Sequence, residues 1–258
     1  MASEIAVWKI AVTGGVFLVL FTAERLAPSV SHKQTGRLIR NAGLWLIILF
    51  ASPLIIAPLT AIGANAIVWE RPDSLKAGSV GALILIVDLV LLDLWTYGLH
   101  RAYHRIPVMW RLHEVHHRDE HLDTTSALRF HLGEVTLSAL LRLAPIALLA
   151  IPLSTVIIFE ALLLCAALFH HSNIRLPASI EKALSRVIVT PSIHWIHHHA
   201  IRSDTDSNYA SILSLWDLIF RSRSQTQRYE AMKIGVEDRM DVSLHKLLIL
   251  PFKSTETS

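Results

Sequence analysis

The chain has 258 residues, of which 52% belong to the hydrophobic set and only 17% are charged, and its mean hydropathy is +0.45. That is too apolar for an ordinary soluble domain and points to a membrane. The net charge of +3 comes from scattered Lys and Arg without a basic stripe, which argues against nucleic acid as a partner.

A membrane-spanning helix needs about 20 largely apolar residues. Ile5 to Phe21 is the first such segment. It reads as a retained anchor, because Glu4 precedes it and no short apolar core with a small-residue cleavage site is present. Lys9 is close enough to its end to snorkel. Gly43 to Ile62 is the second span, with Pro53 and Pro58 expected to kink it. Val80 to Leu99 is the third. Val135 to Phe169 is long enough for two more, with Pro152 marking the turn between them. The only cysteine, Cys165, sits in that apolar run as a packing residue, so neither a disulfide framework nor a thiolate metal site is available.

The expected fold is therefore all-α: one integral membrane domain over residues 1–258, with four to five transmembrane helices and a cytoplasmic helical cap carrying a histidine-rich di-metal site. No Gly-, Ser- or Pro-rich linker and no internal repeat divides the sequence. The tail from Leu244 to Phe252 is apolar enough to lie on the membrane or pack under the cap.

Orientation follows from charge, because cytoplasmic loops near helix ends collect Lys and Arg. Arg25, Lys33, Arg37 and Arg40 lie between the first two spans with no acid after Glu24, whereas the next loop balances Arg71 and Lys76 against Glu70 and Asp73. The first loop should face the cytoplasm. Counting passes from there, the third span ends on that side at His100 and the fifth returns at His170, so all later histidine clusters share one side.

Of the 15 histidines, 13 fall between His100 and His199, in groups. His100 and His104 in HRAYH are one helical turn apart on one face. His113, His116 and His117 in HEVHH repeat that facing at spacings of three and four, and His194, His197 and His198 in HWIHH copy it. His171 stands in HHSN at the mouth of the fifth span. A lone histidine near a membrane surface is more often an interfacial or capping residue than a ligand. Two copies of His-x2-His-His with one His-x3-His invert that reading. So many rings exceed the four ligands usual for a single zinc ion, which favours two metals, although imidazole suits iron, copper, nickel and zinc alike.

HEVHH also fits the His-Glu-x-x-His pattern of zinc metalloproteases, with His113 and His117 as ligands and Glu114 as general base. That reading leaves His116 and the other boxes without a role. A non-enzymatic metal-binding or metal-transport membrane protein is a further alternative, but it would want more polar spans than these.

The succession HRAYH, HEVHH and HWIHH, together with LDTTSALRFHLGE, FHHSN, TPSIHWIHHH and NYASILSLWDLIF, resembles the fatty acid hydroxylase and sterol desaturase superfamily of membrane di-iron enzymes, over roughly residues 88–220 within an 80–220 core. The resemblance implies that His100, His104, His113, His116, His117, His194, His197 and His198 bind two irons that activate dioxygen, and it adds His171. His170 is left open. His131 in RFHLGE stands where the family has a histidine followed by proline and then an acid; here Leu132 replaces the proline. His131 is thus a ligand or a neighbour of one. His121 and His199 read as surface residues or proton donors.

The implied chemistry is oxygen-dependent attack on an unactivated C–H bond of a lipid, ending in hydroxylation or desaturation. No dinucleotide, haem or flavin motif is present, so electrons must come from a separate reductase or carrier protein. Arg101, Arg105, Arg111 and Arg118 interleave with the boxes and could receive an acidic carrier or anchor lipid headgroups. An Asp inside an apolar span costs on the order of 3 kcal/mol and calls for a partner or a function. Asp93 and Tyr97 share the helical face of His100 and His104 and are assigned as outer partners of the site; Asp88 points about 120° away, by the helix periodicity. Asn208, Tyr209, Trp216 and Asp217 read as residues that fix the cap.

Overall fold

The computed structural model describes residues 2–31, 36–66 and 68–253, with side chains from residue 4 onward. Lys33, one of the four charges of the first loop, lies outside the described residues. Twelve α-helices are found among them: α1 (Ala2–Leu26), α2 (Arg37–Ala51), α3 (Ala57–Asn65), α4 (Gly78–Arg105), α5 (Pro107–His117), α6 (Leu132–Leu148), α7 (Leu153–His171), α8 (Ala178–Leu184), α9 (Pro191–His197), α10 (Arg202–Thr205), α11 (Leu215–Ile219) and α12 (Leu244–Ile249).

Four helical stretches are long and apolar enough to cross a membrane: Glu4–Leu26, Arg37–Asn65, Gly78–Arg105 and Leu153–His171. The second is α2 and α3 joined through a π-helical turn at Ser52–Ile56. Pro53 removes a backbone donor there, and the wider turn absorbs the loss without breaking the helix. The fourth expected pass, α6, has 17 residues, a length of about 25 Å, which falls short of a full hydrocarbon crossing. Its Pro145 lies inside the helix, and the turn to α7 is made by Ala150 at φ 52° and by Pro152 as the residue preceding α7.

Side-chain contacts fix the direction of each pass. Lys9 pairs with Glu160, and Glu24 accepts the Asn173 N–H, so α1 and α7 run parallel and end together. Arg37 and Asn41 at the start of α2 reach Asp119. At the opposite end, Trp69 donates to the Leu148 carbonyl, and Arg71 clamps Asp88 through two hydrogen bonds of 2.7 and 2.8 Å. The partner Asp88 needs is therefore Arg71. The C-termini of α1, α4 and α7 and the N-termini of α2 and α6 share one end, as the even number of passes between the histidine clusters requires.

Leu92, Ile146, Ile151, Val156 and Phe159 form the core between α4, α6 and α7. Gly63 lets α3 approach α6 closely, since a Cβ there would meet Leu143 Cδ2 at 2.7 Å. Lys9 pairs with Glu160, which also accepts from Arg142.

The cap is tied to the bundle by ions buried behind α5. Arg37 bonds Asp119 and Asp123, and the fully buried Arg129 donates to the Val115 carbonyl, Asn41 and both oxygens of Asp241. The first-loop cations that set the expected orientation are thus cap ligands as well; Arg25 pairs with Asp123 and Arg40 with Asp241. Of the two options for the tail, packing is observed: Leu247 is buried with Leu44 and Val115.

Candidate metal centre

Nine histidines converge at the shared end in two groups. His100, His104, His113, His117 and His197 form one; His116, His171, His194 and His198 form the other. Within each, one nitrogen from every ring lies within 4.8 Å of all the others, close to the span of opposed ligands held at about 2.1 Å from an ion. Four helices supply them. α4 ends with His100 and His104, α7 with His171, and α5 and α9 carry the two longer boxes.

Each longer box serves both groups. In α5, His113 and His117 at spacing four face one group while His116 faces the other; in the second box, His194 and His198 face the second group and His197 the first. The two groups touch where His117 stacks on His198 with centroids 4.3 Å apart, and through rings of the same box, at 5.3 Å for His113 and His116 and 5.2 Å for His194 and His197.

The outer nitrogens decide what the inner ones present. His100 Nδ1 donates to the Tyr209 carbonyl at 2.8 Å, His113 Nδ1 to Glu134 Oε1 at 2.7 Å, His116 Nδ1 to the Arg129 carbonyl at 3.0 Å, His171 Nδ1 to the Ala167 carbonyl at 2.8 Å and His197 Nδ1 to the Ser207 carbonyl at 2.6 Å. Each acceptor fixes the proton on Nδ1 and leaves a lone pair on Nε2. Yet the Nε2 atoms of His100 and His113 lie 3.1 Å apart, and so do those of His116 and His171. Lone pairs facing each other at that distance repel unless a cation stands between them. Both ring nitrogens of His104 and His117 and Nε2 of His197 are buried without a hydrogen-bond partner, a cost a metal ion would remove. The donor set fits metal at both groups.

Electrostatics agree. His116, His117, His194, His197 and His198 are all held well below the ordinary imidazole range, first by burial and then by the neighbouring histidines. They are neutral near pH 7 and available as ligands.

His131 stands outside both groups. It is the cap of α6: its Nδ1 accepts from the Gly133 N–H and its Nε2 donates to the Leu248 carbonyl, each at about 3.0–3.1 Å. With both nitrogens engaged, it presents no free lone pair to either group, in contrast to the expectation that it is a ligand. His170 is buried against the His194 ring at 3.9 Å and also lies outside the groups. His199 is buried, bonded to Asp204 at 2.7 Å, rather than a surface residue.

Asp93 and Tyr97 touch none of the nine rings through a hydrogen bond. Asp93 accepts the N–H groups of Ile212 and Leu213 and the Trp216 indole. Tyr97 bonds Ser222, which donates to Asp217, and Asp217 accepts the N–H groups of Tyr209 and Ala210. The pair fixes the segment whose Tyr209 carbonyl orients His100. Sequence reasoning left out Glu134, although a carboxylate at the start of an apolar helix was the available signal.

Glu114 faces away from both groups. Arg118 and Arg239 both hold its carboxylate, at 2.7–2.9 Å, so it has no access to a metal-bound water.

A multi-pass helical membrane protein with two adjoining all-histidine groups is the class this fold and site define. Residues 85–222 match the family model for fatty acid hydroxylases, and the chain belongs to that family. It is 25% identical over 171 residues to an ornithine lipid hydroxylase of Rhizobium tropici, covering 66% of this chain and 51% of that protein. It is 32% identical over 152 residues to the human alkylglycerol monooxygenase, covering 59% and 31%, and 27% identical over 168 residues to that of Danio rerio, covering 65% and 36%. The chain thus spans about half or less of the length of these relatives. No solved structure matches it.

Proposed function

We propose that the chain is a membrane lipid hydroxylase whose two histidine groups hold a pair of iron ions. The observation that carries the reading is the set of inward-facing Nε2 atoms that crowd one another at 2.9–3.1 Å, His100 against His113 in one group and His116, His171, His194 and His198 in succession in the other. Bound iron would supply dioxygen activation, with the balance R–H + O2 + 2 e− + 2 H+ giving R–OH and H2O. The names of the relatives, hydroxylases and monooxygenases of lipids, favour hydroxylation over desaturation.

The chain's own residues do the rest. Glu134 and the carbonyls of Tyr209, Arg129, Ala167 and Ser207 hold the rings in their ligating tautomer. Burial of every ring but His100 below 9% exposure excludes bulk water. The substrate is an amphipathic lipid entering from the bilayer. Electrons come from a separate reductase or carrier, which the exposed Arg101 and Arg105 would attract if it is acidic. The charge bias of the first loop favours a cytoplasmic site.

The transport reading is weakened because charges within the spans are paired, Asp88 with Arg71 and Glu160 with Lys9 and Arg142. The test is metal content and iron spectroscopy on anaerobically purified protein, wild type against His113→Ala, with a lipid extract as substrate. About two irons per chain, oxidised by dioxygen with a hydroxylated lipid formed, supports the reading. One zinc and no iron after iron-replete expression overturns it.

A further inference from the structure

The segment that carries Tyr209 sits in an unusual place. Asp93 lies seven residues before His100 in α4, about 10 Å further along the spanning helix at 1.5 Å per residue. Yet its carboxylate holds the backbone of Ile212 and Leu213 and the Trp216 side chain. Val189 and Ser214 then exchange backbone hydrogen bonds with Ile212 and Val187, so residues 187–189 run beside 212–214 at the same level. Phe220 stacks on Tyr97 at 5.1 Å, one turn below His100.

Irregular backbone at membrane depth is tolerated only where its polar groups find internal partners. Here Asp93 and Asp217 each take two backbone N–H groups, and the bridge between Ile188 and Leu213 pairs more. The outward side of the same stretch is apolar. Ile180, Val187, Leu215, Leu218, Ile219 and Phe220 are all more than 40% exposed. Along α4, the exposed Leu83, Ile86 and Val87 continue that surface toward the other end of the span. Lys182, Arg186 and Arg221 are exposed beside the patch, long enough to reach headgroups while their stems stay in hydrocarbon.

We propose that residues 178–222 are a membrane-embedded part of the cap, with Leu215, Leu218, Ile219 and Phe220 immersed in acyl chains. The occupant of the patch is bilayer hydrocarbon, because the depth set by Asp93 and the continuity with α4 place it below the interface. This goes beyond the hydroxylase reading and does not depend on which metal is bound.

Spin labels test it on the full chain in lipid vesicles, in a Cys165→Ala background. Leu218→Cys and Ile219→Cys alter exposed side chains only, with Leu83→Cys as the lipid reference and Glu237→Cys, on the cap, as the aqueous one. The expected result is an oxygen-to-nickel-chelate accessibility ratio at 218 and 219 equal to that at 83 and several-fold above that at 237. A ratio equal to that at 237 overturns the proposal, since the patch then faces water and is free for a carrier protein. Low accessibility to both reagents also overturns it, because a second copy then covers the patch. Iron content and product formation in the same samples report separately on the hydroxylase reading.

Discussion

Replacing Glu134 should empty one metal group and spare the other. Its Oε1 is the only acceptor for His113 Nδ1 among the described residues, at 2.7 Å, in a site where both side chains are nearly sealed from water. In Glu134→Ala the His113 proton is free to move to Nε2, the ligating atom. A buried hydrogen bond to a charged group contributes about 1.5–3 kcal/mol, which is roughly 10- to 100-fold in affinity. Outer partners of metal-bound histidines show the same range of about 10–100-fold when removed. Glu134→Gln keeps an acceptor oxygen, and Oε2 has no partner to lose, so the loss should be about tenfold or less. The effect belongs to the five-histidine group alone, because Glu134 bonds His113 and none of His116, His171, His194 and His198, the first two of which have carbonyl acceptors of their own. Metal per chain, measured through a chelator titration, should therefore fall from two to one in the alanine variant while the second ion is retained. Loss of both ions together, or no loss in either variant, would refute the reasoning.

Glu114→Gln should keep metal and hydroxylation, at a stability cost on the order of 1 kcal/mol since one of its two arginine partners is half exposed; abolished activity with bound zinc would restore the protease reading. Asp93→Ala leaves three donors buried and unsatisfied, so it should cost about 3 kcal/mol or more, seen as a lower unfolding temperature and a weaker five-histidine group. For pH, the cap histidines are neutral when folded and protonate at about pH 6.5 when unfolded. The unfolded state therefore binds more protons below that value, and stability is full above it and lost as pH falls from about 6.5 toward the folded values. Metal-free protein should show this fall in thermal scans, and bound metal should move it to lower pH; a flat profile between about pH 7 and 5 in the metal-free protein would contradict it.

Much of the fold is written in simple patterns. Apolar runs of spanning length, the Pro152 turn and the proline pair at 53 and 58 all correspond to features of the bundle. The convergence of three boxes follows from an even number of passes between them. What the pattern does not carry is partnership. Arg25, Arg37 and Arg40 read as topology signals, and their pairing with Asp123, Asp119 and Asp241 depends on residues 82 to 201 positions away. The same holds for Lys9, whose pairing with Glu160 depends on a residue 151 positions away.

His131 shows why spacing alone could not settle the ligand set. It lies two residues after Arg129, whose carbonyl orients His116, and three before Glu134, which orients His113. Proximity in sequence to the site is therefore real, but its ring caps the helix that positions Glu134 instead of reaching a metal. The boxes differ because helical turns run through them: on α5, His113 and His117 lie about 40° apart around the axis and go to one group, while His116, about 60° from His113 and 100° from His117, goes to the other. A rigid helix then fixes the separation of the two groups, and the second box does the same from the opposite side. That arrangement makes the pair of sites a single mechanical unit. A proline at Val115 should accordingly disrupt both groups at once, where Glu134→Ala disrupts one.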